Sequence, residues 1–226
     1  MNVGKLSFDN NPNIGLYFRV SDKYCLVGKK LNKNELILVS ETFGVPVIYA
    51  PVYESELTGL FCVGNSSKLL VSDIVDEEEF RNLERELGKS GVKVGRISTR
   101  LTALGNNICV NDRICVISGE FSKKEEEFIS NFFGVETHRR NFGAISVPGS
   151  MFLLTNKGVC FHPELEGDEF LKVFGKKFSF GAGTCNFGNP YVSSGAVANS
   201  FGLLIGHMTT GIEVQRIQEA LGDFLY

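Results

Sequence analysis

The most reactive side chains in this sequence are six cysteines and three histidines. A thiolate held beside a basic side chain is the arrangement of a covalent nucleophile. Cys185 lies in a glycine-rich stretch, and His138 or His162 could serve as its base. The alternative role is structural, because a cysteine also packs in a core as a small apolar residue. The sequence favours the structural role and leaves the nucleophile as a second hypothesis.

The spacing of these residues argues against metal and cofactor sites. There is no Cys-x-x-Cys pair and the histidines are scattered, so we expect no bound metal. Gly181-Ala-Gly183 is not followed by the Lys-Ser/Thr of a phosphate-binding loop, so we expect no cofactor. Short basic runs could contact RNA phosphate, although they are more often solvated chain ends. These runs are His138-Arg139-Arg140, Lys29-Lys30 and Lys176-Lys177.

The composition is that of a globular protein. The chain has 226 residues, of which 43% are hydrophobic and 22% charged, close to the average for folded domains. The formal net charge of −3 gives no broad positive field, so we expect any RNA contact to be local. No apolar run is long enough to span a bilayer, and the first residues lack a signal-peptide pattern. We therefore predict a chain that is neither membrane-embedded nor exported.

An internal repeat determines which elements position these residues. Five segments begin with a glycine, continue into an apolar strand and a polar turn, and return in a second apolar run, which predicts a hairpin. The glycines are 44, 46, 44 and 46 residues apart, a period typical of repeat architectures. They are Gly15, Gly59, Gly105, Gly149 and Gly195.

A helix and a third strand follow each hairpin. Capping boxes at Asp76, Ser122 and Thr210 mark three helix starts, and a glycine follows each helical pattern. These glycines are Gly44, Gly88, Gly134, Gly175 and Gly222. The last unit lacks its third strand, and Lys5-Leu6-Ser7-Phe8 precedes the first unit. We therefore predict an α/β fold with residues 1–226 in one domain. Five ββαβ units close into a ring, and the N-terminal strand completes the fifth.

Several motifs carry a family resemblance. They are Ser7-Phe-Asp-Asn-Asn with Asn13-Ile-Gly15, Phe61-Cys-Val-Gly-Asn65, Arg100-Leu-Thr-Ala-Leu-Gly-Asn106 with Cys109-Val-Asn-Asp112, and Ala182-Gly-Thr-Cys-Asn-Phe-Gly188. The ring resembles the pentein, or β/α-propeller, architecture. Within it, nearly the whole chain resembles the translation initiation factor 6 family, the ribosome anti-association factors. Tyr24-Cys25 is closer to the eukaryotic form, although the chain ends four residues after Gly222, without the polar C-terminal extension of animal and fungal members.

The resemblance implies a non-enzymatic protein that binds the intersubunit face of the large ribosomal subunit and prevents premature joining of the small subunit. The implied contacts are chiefly with protein fourteen of the universal large-subunit set. Lesser contacts are implied with the sarcin–ricin loop of the rRNA and a neighbouring eukaryote-type ribosomal protein. It also implies a role in late large-subunit biogenesis and release by an elongation factor 2-like GTPase with the Shwachman–Bodian–Diamond protein. We expect a cytoplasmic and nuclear or nucleolar protein, monomeric off the ribosome.

Two other classes of function stay open at this point. Other penteins modify guanidino groups with a cysteine nucleophile, and Cys185 with a histidine would be the corresponding site. Those enzymes usually carry long insertions, whereas these repeats are short and even, and fold-level analogy is weak support for an activity. The third class is a protein-interaction scaffold unrelated to ribosomes.

The pseudo-symmetry predicts where a partner binds. The turns before the five first strands should emerge at one end of the ring, so residues one or two after each glycine form a circle there. The resemblance places the ribosome interface on this side and associates Asn106 with it, although an asparagine that begins a turn is also a common structural choice. Leu60 stands where many eukaryotic relatives carry arginine. The predicted ribosome-binding residues are Tyr17, Leu60, Phe61, Asn65, Asn106, Asn107, Ser150, Met151 and Ala196, with Leu16 and Val197 completing the circle.

Overall fold

The computed structural model describes residues 1–165, 173–175 and 178–223. The strands are β1 (Asn2–Leu6), β2 (Phe18–Val20), β3 (Cys25–Val27), β4 (Val47–Tyr49), β5 (Val63–Gly64), β6 (Lys68–Ser72), β7 (Lys93–Ile97), β8 (Ile108–Val110), β9 (Ile114–Ile117), β10 (Glu136–Arg139), β11 (Phe152–Leu154), β12 (Gly158–Phe161), β13 (Ser179–Ala182), β14 (Ala196–Ala198) and β15 (Gly202–Gly206). The longer helices are α1 (Lys33–Phe43), α2 (Glu77–Gly88), α3 (Lys123–Phe133) and α4 (Gly211–Ala220).

The strands form five three-stranded sheets of one topology. In each sheet the first two strands are antiparallel and the third is parallel to the second. The sheets are β2-β3-β4, β5-β6-β7, β8-β9-β10, β11-β12-β13 and β14-β15-β1. The middle strands are almost wholly buried, which explains their continuous apolar sequence. The predicted order of strands within the unit is confirmed.

The N-terminal strand completes the fifth sheet, with Gly4 of β1 opposite Leu204 of β15. The predicted strand position was wrong by a few residues, because β1 covers Asn2–Leu6 rather than residues 5–8. Asp9 and Asn10 adopt left-handed φ angles of 51° and 62°, so the chain turns back and Phe8 pairs only with Asn11. The turn thus ends the extended segment earlier than the apolar pattern predicts.

The hydrophobic core lies between consecutive units. Each of its five clusters combines side chains from two neighbouring sheets, and among the described residues α1, α2, α3 and α4 each contribute side chains to one cluster. The fifth cluster joins Val197 and Leu204 of the last unit to Phe18 and Phe43 of the first. Each unit therefore stabilises the next, as in other repeat proteins.

The helix starts follow the capping pattern with one exception. Complete capping boxes form at Ser122 and Thr210, and a third, which the sequence analysis missed, forms at Asn32. Asp76 caps α2, but the Glu79 carboxylate accepts hydrogen bonds from another loop instead of returning to Asp76. The predicted box at Asp76 is therefore only half formed.

The helix ends agree in part with the predicted glycines. Gly44 and Gly134 have left-handed φ angles of 64° and 69° directly after α1 and α3. The prediction for Gly88 was wrong, because α2 continues through it and Gly91 adopts the left-handed conformation. Gly222 has a left-handed φ angle, two residues after the end of α4. The helix predicted before Gly175 lies mostly outside the described residues, which here are 173–175.

Candidate functional site

A single helical turn stands before the first strand of each unit, and we call these five segments the lead-in turns. They are Ile14–Leu16, Thr58–Phe61, Leu104–Asn107, Pro148–Met151 and Val192–Gly195. Each lead-in turn packs against the next, and the fifth packs against the first. Because each one precedes its first strand, they gather at one end of the molecule, which we call the lead-in face.

The repeated glycines are needed for close approach between lead-in turns. A Cβ atom on Gly59 would lie 2.1 Å from the carbonyl oxygen of Gly15, and one on Gly105 would lie 1.9 Å from that of Gly59. Gly149 has the same relation to Gly105, at 2.0 Å. Real Cβ atoms do not approach backbone oxygens this closely, so a side chain would force neighbouring turns apart. The period read from the sequence therefore reports packing between units.

The fifth unit corrects the predicted register. A Cβ on Gly15 would lie 1.9 Å from the oxygen of Ser193, so Ser193, not Gly195, occupies the repeated position. The hydroxyl of Ser193 donates a hydrogen bond to the carbonyl of Phe152 at 2.7 Å. The residue equivalent to Asn106 and Ser150 is therefore Ser194.

Most predicted interface residues lie on the lead-in face, half-buried at its surface. These are Leu16, Tyr17, Leu60, Phe61, Asn106, Asn107 and Ser150. Met151 and Ala196 were predicted to bind the ribosome from this face, but both are fully buried, and Val197 lies within β14. The physical reason is the register of the turns: Met151 packs into the core cluster between the third and fourth units, and Ala196 already begins a strand.

Asn65 lies at the opposite end of the molecule, in the turn between β5 and β6, and only 3% of it is exposed. Its side chain accepts hydrogen bonds from the backbone of Ser67 and Lys68 and donates to the carbonyl of Asn111 in the next unit. Asn65 therefore joins two units and has a structural role in the fold.

Hydrogen bonds fix the polar residues of the lead-in face, within one unit or between two. The Ser150 hydroxyl donates to Oδ1 of Asn106 at 3.0 Å, across the boundary between two units. Asn107 donates to the carbonyl of Ala103 within its own turn at 2.9 Å. The Tyr17 hydroxyl accepts a hydrogen bond from Asn11 at 3.2 Å. These contacts orient the side chains before any partner binds.

A groove of about 330 Å³ crosses this face. Its lining includes three residues of the predicted circle, Leu16, Asn106 and Ser150, and five residues that the sequence analysis missed. The missed residues are Asn13, Val147, Asn189, Tyr191 and Ser194. Four of them come just before a lead-in turn or at its start, so their position along the repeat is the signal that could have found them.

Aromatic side chains project from two of the turns that precede the lead-in turns. Tyr53 is 49% exposed and Phe187 is 79% exposed. Both turns are held by the glutamate in the first turn of the following helix. Glu79 accepts from the backbone N–H groups of Tyr53 and Glu54, both at 2.8 Å. Glu213 accepts from the N–H groups of Phe187 and Gly188.

Glu213 is the more deeply enclosed of these carboxylates. Burial by itself would raise its pKa, but hydrogen bonds from the backbone of Thr210 and Gly188 and from the hydroxyls of Thr184 and Thr210 outweigh it, so the pKa is lowered. The carboxylate is therefore ionised in the folded protein and holds the turn in place.

We expect Glu213→Gln to destabilise the fold by about 3 kcal/mol at neutral pH. The NH₂ group of the glutamine would face several N–H and O–H donors, from which it cannot accept hydrogen bonds. A lowered folded pKa means that the carboxylate contributes stability above the pKa of the unfolded chain. That contribution is lost as pH falls through the folded pKa. Urea denaturation at a series of pH values measures the free energy of unfolding. The difference in this free energy between wild type and variant should become smaller as the pH is lowered. Glu219→Gln, an exposed change on the same helix, is the control; equal stability of both variants would contradict the prediction.

The cysteines do not form a nucleophilic site. All six are buried. Burial raises the pKa of the Cys185 thiol to about 12, and its sulfur lies 3.9 Å from the carbonyl oxygen of Tyr191. His162 Nδ1 accepts a hydrogen bond from the Glu164 backbone, and His138 Nε2 lies 3.0 Å from Glu136. Cys185 therefore packs as a small apolar side chain.

Arg139 and Lys29, from two of the basic runs, are engaged by the protein itself. Arg139 contacts Glu126 at 2.7 Å and donates to the carbonyl of Phe121. Lys29 lies between Asp9 and Glu56, at 2.7 and 3.1 Å. Lys176 and Lys177 lie outside the described residues.

Over the described part of the chain, no three His, Cys, Asp or Glu side chains are grouped as metal ligands would be. In the same ranges no helix combines the length and the apolar character needed to cross a membrane.

Comparison with known proteins decides the family. The model of the eIF-6 family matches residues 3–220. The chain belongs to this family. It is 35% identical over 226 residues to translation initiation factor 6 of Pyrococcus horikoshii, covering 98% of this chain and 99% of the relative. It is 37% identical over 227 residues to translation initiation factor 6 of Saccharolobus islandicus, covering 99% and 100%.

The eIF-6 membership confirms the resemblance seen in the motifs. Family members carry the name of a translation initiation factor, so this chain is a factor of protein synthesis and not an enzyme. The guanidine-modifying alternative is thereby excluded, in agreement with the burial of Cys185. The assignment to a eukaryotic form stays a prediction.

Proposed function

We propose that this eIF-6 family member binds the large ribosomal subunit on its intersubunit face through the lead-in face and thereby prevents premature joining of the small subunit. The observation that carries the proposal is the lead-in face itself. It presents a circle of half-buried apolar and amide side chains around a groove, with few free charges. Such surfaces suit a protein partner, because the buried centre of an interface is depleted in charged residues.

We propose that the five units close into a pentein ring that keeps this face rigid. Pairing of β1 with β15, the core cluster that joins the last unit to the first, and the contact of Gly15 with Ser193 support closure. A rigid scaffold lowers the entropic cost of binding, because its side chains are already ordered.

The proposed main partner is protein fourteen of the universal large-subunit set, with lesser contacts to the sarcin–ricin loop and a neighbouring eukaryote-type ribosomal protein. The net charge of −3 supports a mainly protein-directed interface, since phosphate-dominated binding requires clustered Lys and Arg. The proposal includes a role in late large-subunit biogenesis in the nucleus, nucleolus and cytoplasm. Release would be by an elongation factor 2-like GTPase with the Shwachman–Bodian–Diamond protein.

Sedimentation tests the proposal directly. In a sucrose gradient of cell lysate, we expect the protein to migrate with free large subunits, because binding to the intersubunit face and subunit joining are mutually exclusive. Added to purified subunits, it should lower the yield of joined ribosomes. A protein found only at the top of the gradient would favour a scaffold unrelated to ribosomes.

Two substitutions locate the interface. We expect Leu60→Asp and Asn106→Ser each to weaken large-subunit binding by about tenfold, as for residues near the centre of an interface. Leu60→Asp places a charge in the apolar part of the face, and Asn106→Ser removes the acceptor of the Ser150 hydrogen bond. Subunit pelleting measures binding, and circular dichroism checks the fold.

The control variants make the same two kinds of substitution, an apolar residue to Asp and an Asn to Ser, at positions on the helices. Ile37→Asp lies on α1 and Asn131→Ser on α3, both at exposed positions. We expect normal binding from both. Unchanged binding by the Leu60 and Asn106 variants, with normal spectra, would place the interface on another face.

A further inference from the structure

Three exposed apolar side chains lie around one turn of the fifth unit, and we call them the fifth-unit patch. They are Phe187, Met208 and Ile212, with exposed fractions of 79%, 49% and 68%. Phe187 and Ile212 are the two most exposed large hydrophobic residues in the part of the chain that the structure describes. Single exposed apolar residues are ordinary, whereas a group of them marks an interaction surface.

The turn that carries Phe187 is fastened to the two segments that carry the other members of the patch. The hydroxyl of Thr209, the residue after Met208, accepts a hydrogen bond from the backbone N–H of Asn186 at 3.1 Å. The carboxylate of Glu213, the residue after the third member, accepts from the N–H of Phe187 at 3.3 Å. The three members of the patch therefore lie close together at the surface.

The backbone at Phe187 has a conformation that favours glycine. Its φ angle is 64°, and those of Asn186 and Gly188 on either side are 46° and 96°. A residue with a Cβ atom is disfavoured in this left-handed region, above all one with a bulky side chain. Because the exposed ring gains little from packing, the fold does not explain a phenylalanine here. Strain of this kind in an exposed turn indicates a contact outside the chain.

Basic side chains flank the patch. Lys5 donates to a backbone carbonyl next to Met208, at 2.9 Å. His207 directly precedes Met208, and Arg216 lies one helical turn after Ile212, on the same side of α4. All three basic residues are exposed, and over the described ranges none of them forms an ion pair with a carboxylate.

The carboxylate next to the patch faces inward. Glu213 is only 7% exposed, and hydrogen bonds from backbone N–H groups and from the hydroxyls of Thr184 and Thr210 surround it. It therefore fixes the turn and is not presented to a partner. The patch thus offers an apolar centre with positive charge at its edge.

We propose that the fifth-unit patch docks a short protein segment that carries apolar side chains beside Asp or Glu residues. The apolar side chains cover the three members of the patch, and the carboxylates face Lys5 and Arg216. Methionine and aromatic residues are enriched at protein interfaces, and complementary charge around an apolar centre gives specificity. A nucleic acid suits the patch less, because bases stack on aromatic rings and Phe187 is the one ring among its members. This surface is separate from the residues assigned above to the large subunit.

Selection from a displayed library of random peptides tests the site in the full chain. We expect the enriched peptides to combine Leu, Ile, Phe or Met with Asp or Glu. Fluorescence anisotropy should give Kd values in the micromolar range that rise with salt. Ile212→Thr and Arg216→Gln should each raise the Kd by about tenfold. The absence of any enriched peptide, or binding that survives both substitutions, would overturn the proposal.

Phe187→Gly separates docking from folding. Glycine adopts a φ angle of 64° without strain, so we expect the Tm to rise by about 2 °C while the peptide Kd rises by about tenfold. Phe201→Gly is the matched control, because Phe201 is 50% exposed in the turn before β15, at the opposite end of the molecule. It should bind the peptides normally without a gain in Tm. A Phe187 variant that melts below the wild type, or that still binds, would contradict the proposal.

Two further measurements test other occupants of the patch. Sedimentation equilibrium of the unaltered protein should show a monomer at the concentrations used for peptide binding, and labelled single-stranded RNA should not bind at the patch. A dimer that Ile212→Thr dissociates would assign the patch to a second copy of this chain. RNA binding that the same substitution abolishes would assign it to a nucleic acid. Either result would overturn the proposal.

Discussion

A chain that lacks residues 1–8 is expected to aggregate instead of folding to a soluble protein. The deletion removes β1, which pairs along its whole length with β15, a strand whose five residues are all buried. It also removes Leu6 and Phe8 from the core, at a cost of about 5 kcal/mol or more. That loss is comparable to the total stability of a domain. The exposed apolar edge of β15 would then pair with other chains.

Size-exclusion chromatography and thermal melts measure this outcome. Val3→Thr is the control, because Val3 is 40% exposed on β1 and its substitution leaves the strand in place. We expect this variant to elute and melt as the wild type does. If the truncated chain stays soluble with an unchanged Tm, β1 does not secure the fifth unit to the first.

Gly105→Ala is expected to destabilise the protein by about 3 kcal/mol, a fall in Tm of about 10 °C. The added methyl would lie 1.9 Å from the carbonyl oxygen of Gly59 and 2.9 Å from both the Leu60 oxygen and Arg19 Nη2. Two of these contacts are backbone atoms that cannot rotate away. The lead-in turns of the second and third units must therefore separate, which also displaces Leu60.

Gly88→Ala provides the matched control. Gly88 is the last residue of α2, and a Cβ there would meet no atom within 4 Å. We expect a neutral effect or a gain of about 0.5 kcal/mol, because alanine favours the helix. Urea denaturation of both variants separates the effect of close packing from that of glycine itself. A Gly105 variant as stable as the Gly88 variant would show that the turns can adapt.

The sequence by itself determined the repeated unit. Hairpins, capping boxes and helix-ending glycines arise from interactions between residues close in the chain, so the pattern of apolar residues and caps predicts them directly. Ser122 with Glu125 and Thr210 with Glu213 illustrate this, since each pair forms the predicted reciprocal bonds. The pairing of the N-terminal strand with the last unit was also predictable, because one strand was missing at one end and spare at the other.

The tertiary structure decided what depends on contacts between units. Ser193 replaces glycine in the fifth lead-in turn because its hydroxyl bonds to Phe152, and the nearby Gly195 therefore gave a false register. The Glu79 carboxylate does not complete its capping box because it accepts hydrogen bonds from two backbone amides of a turn about 25 residues earlier in the chain. The burial of Met151 and the placement of Arg19 in a central cavity likewise follow from how five sheets pack together. Each of these contacts occurs in one unit and is not repeated in the others, so no periodic signal in the chain marks it and the structure was needed to find it.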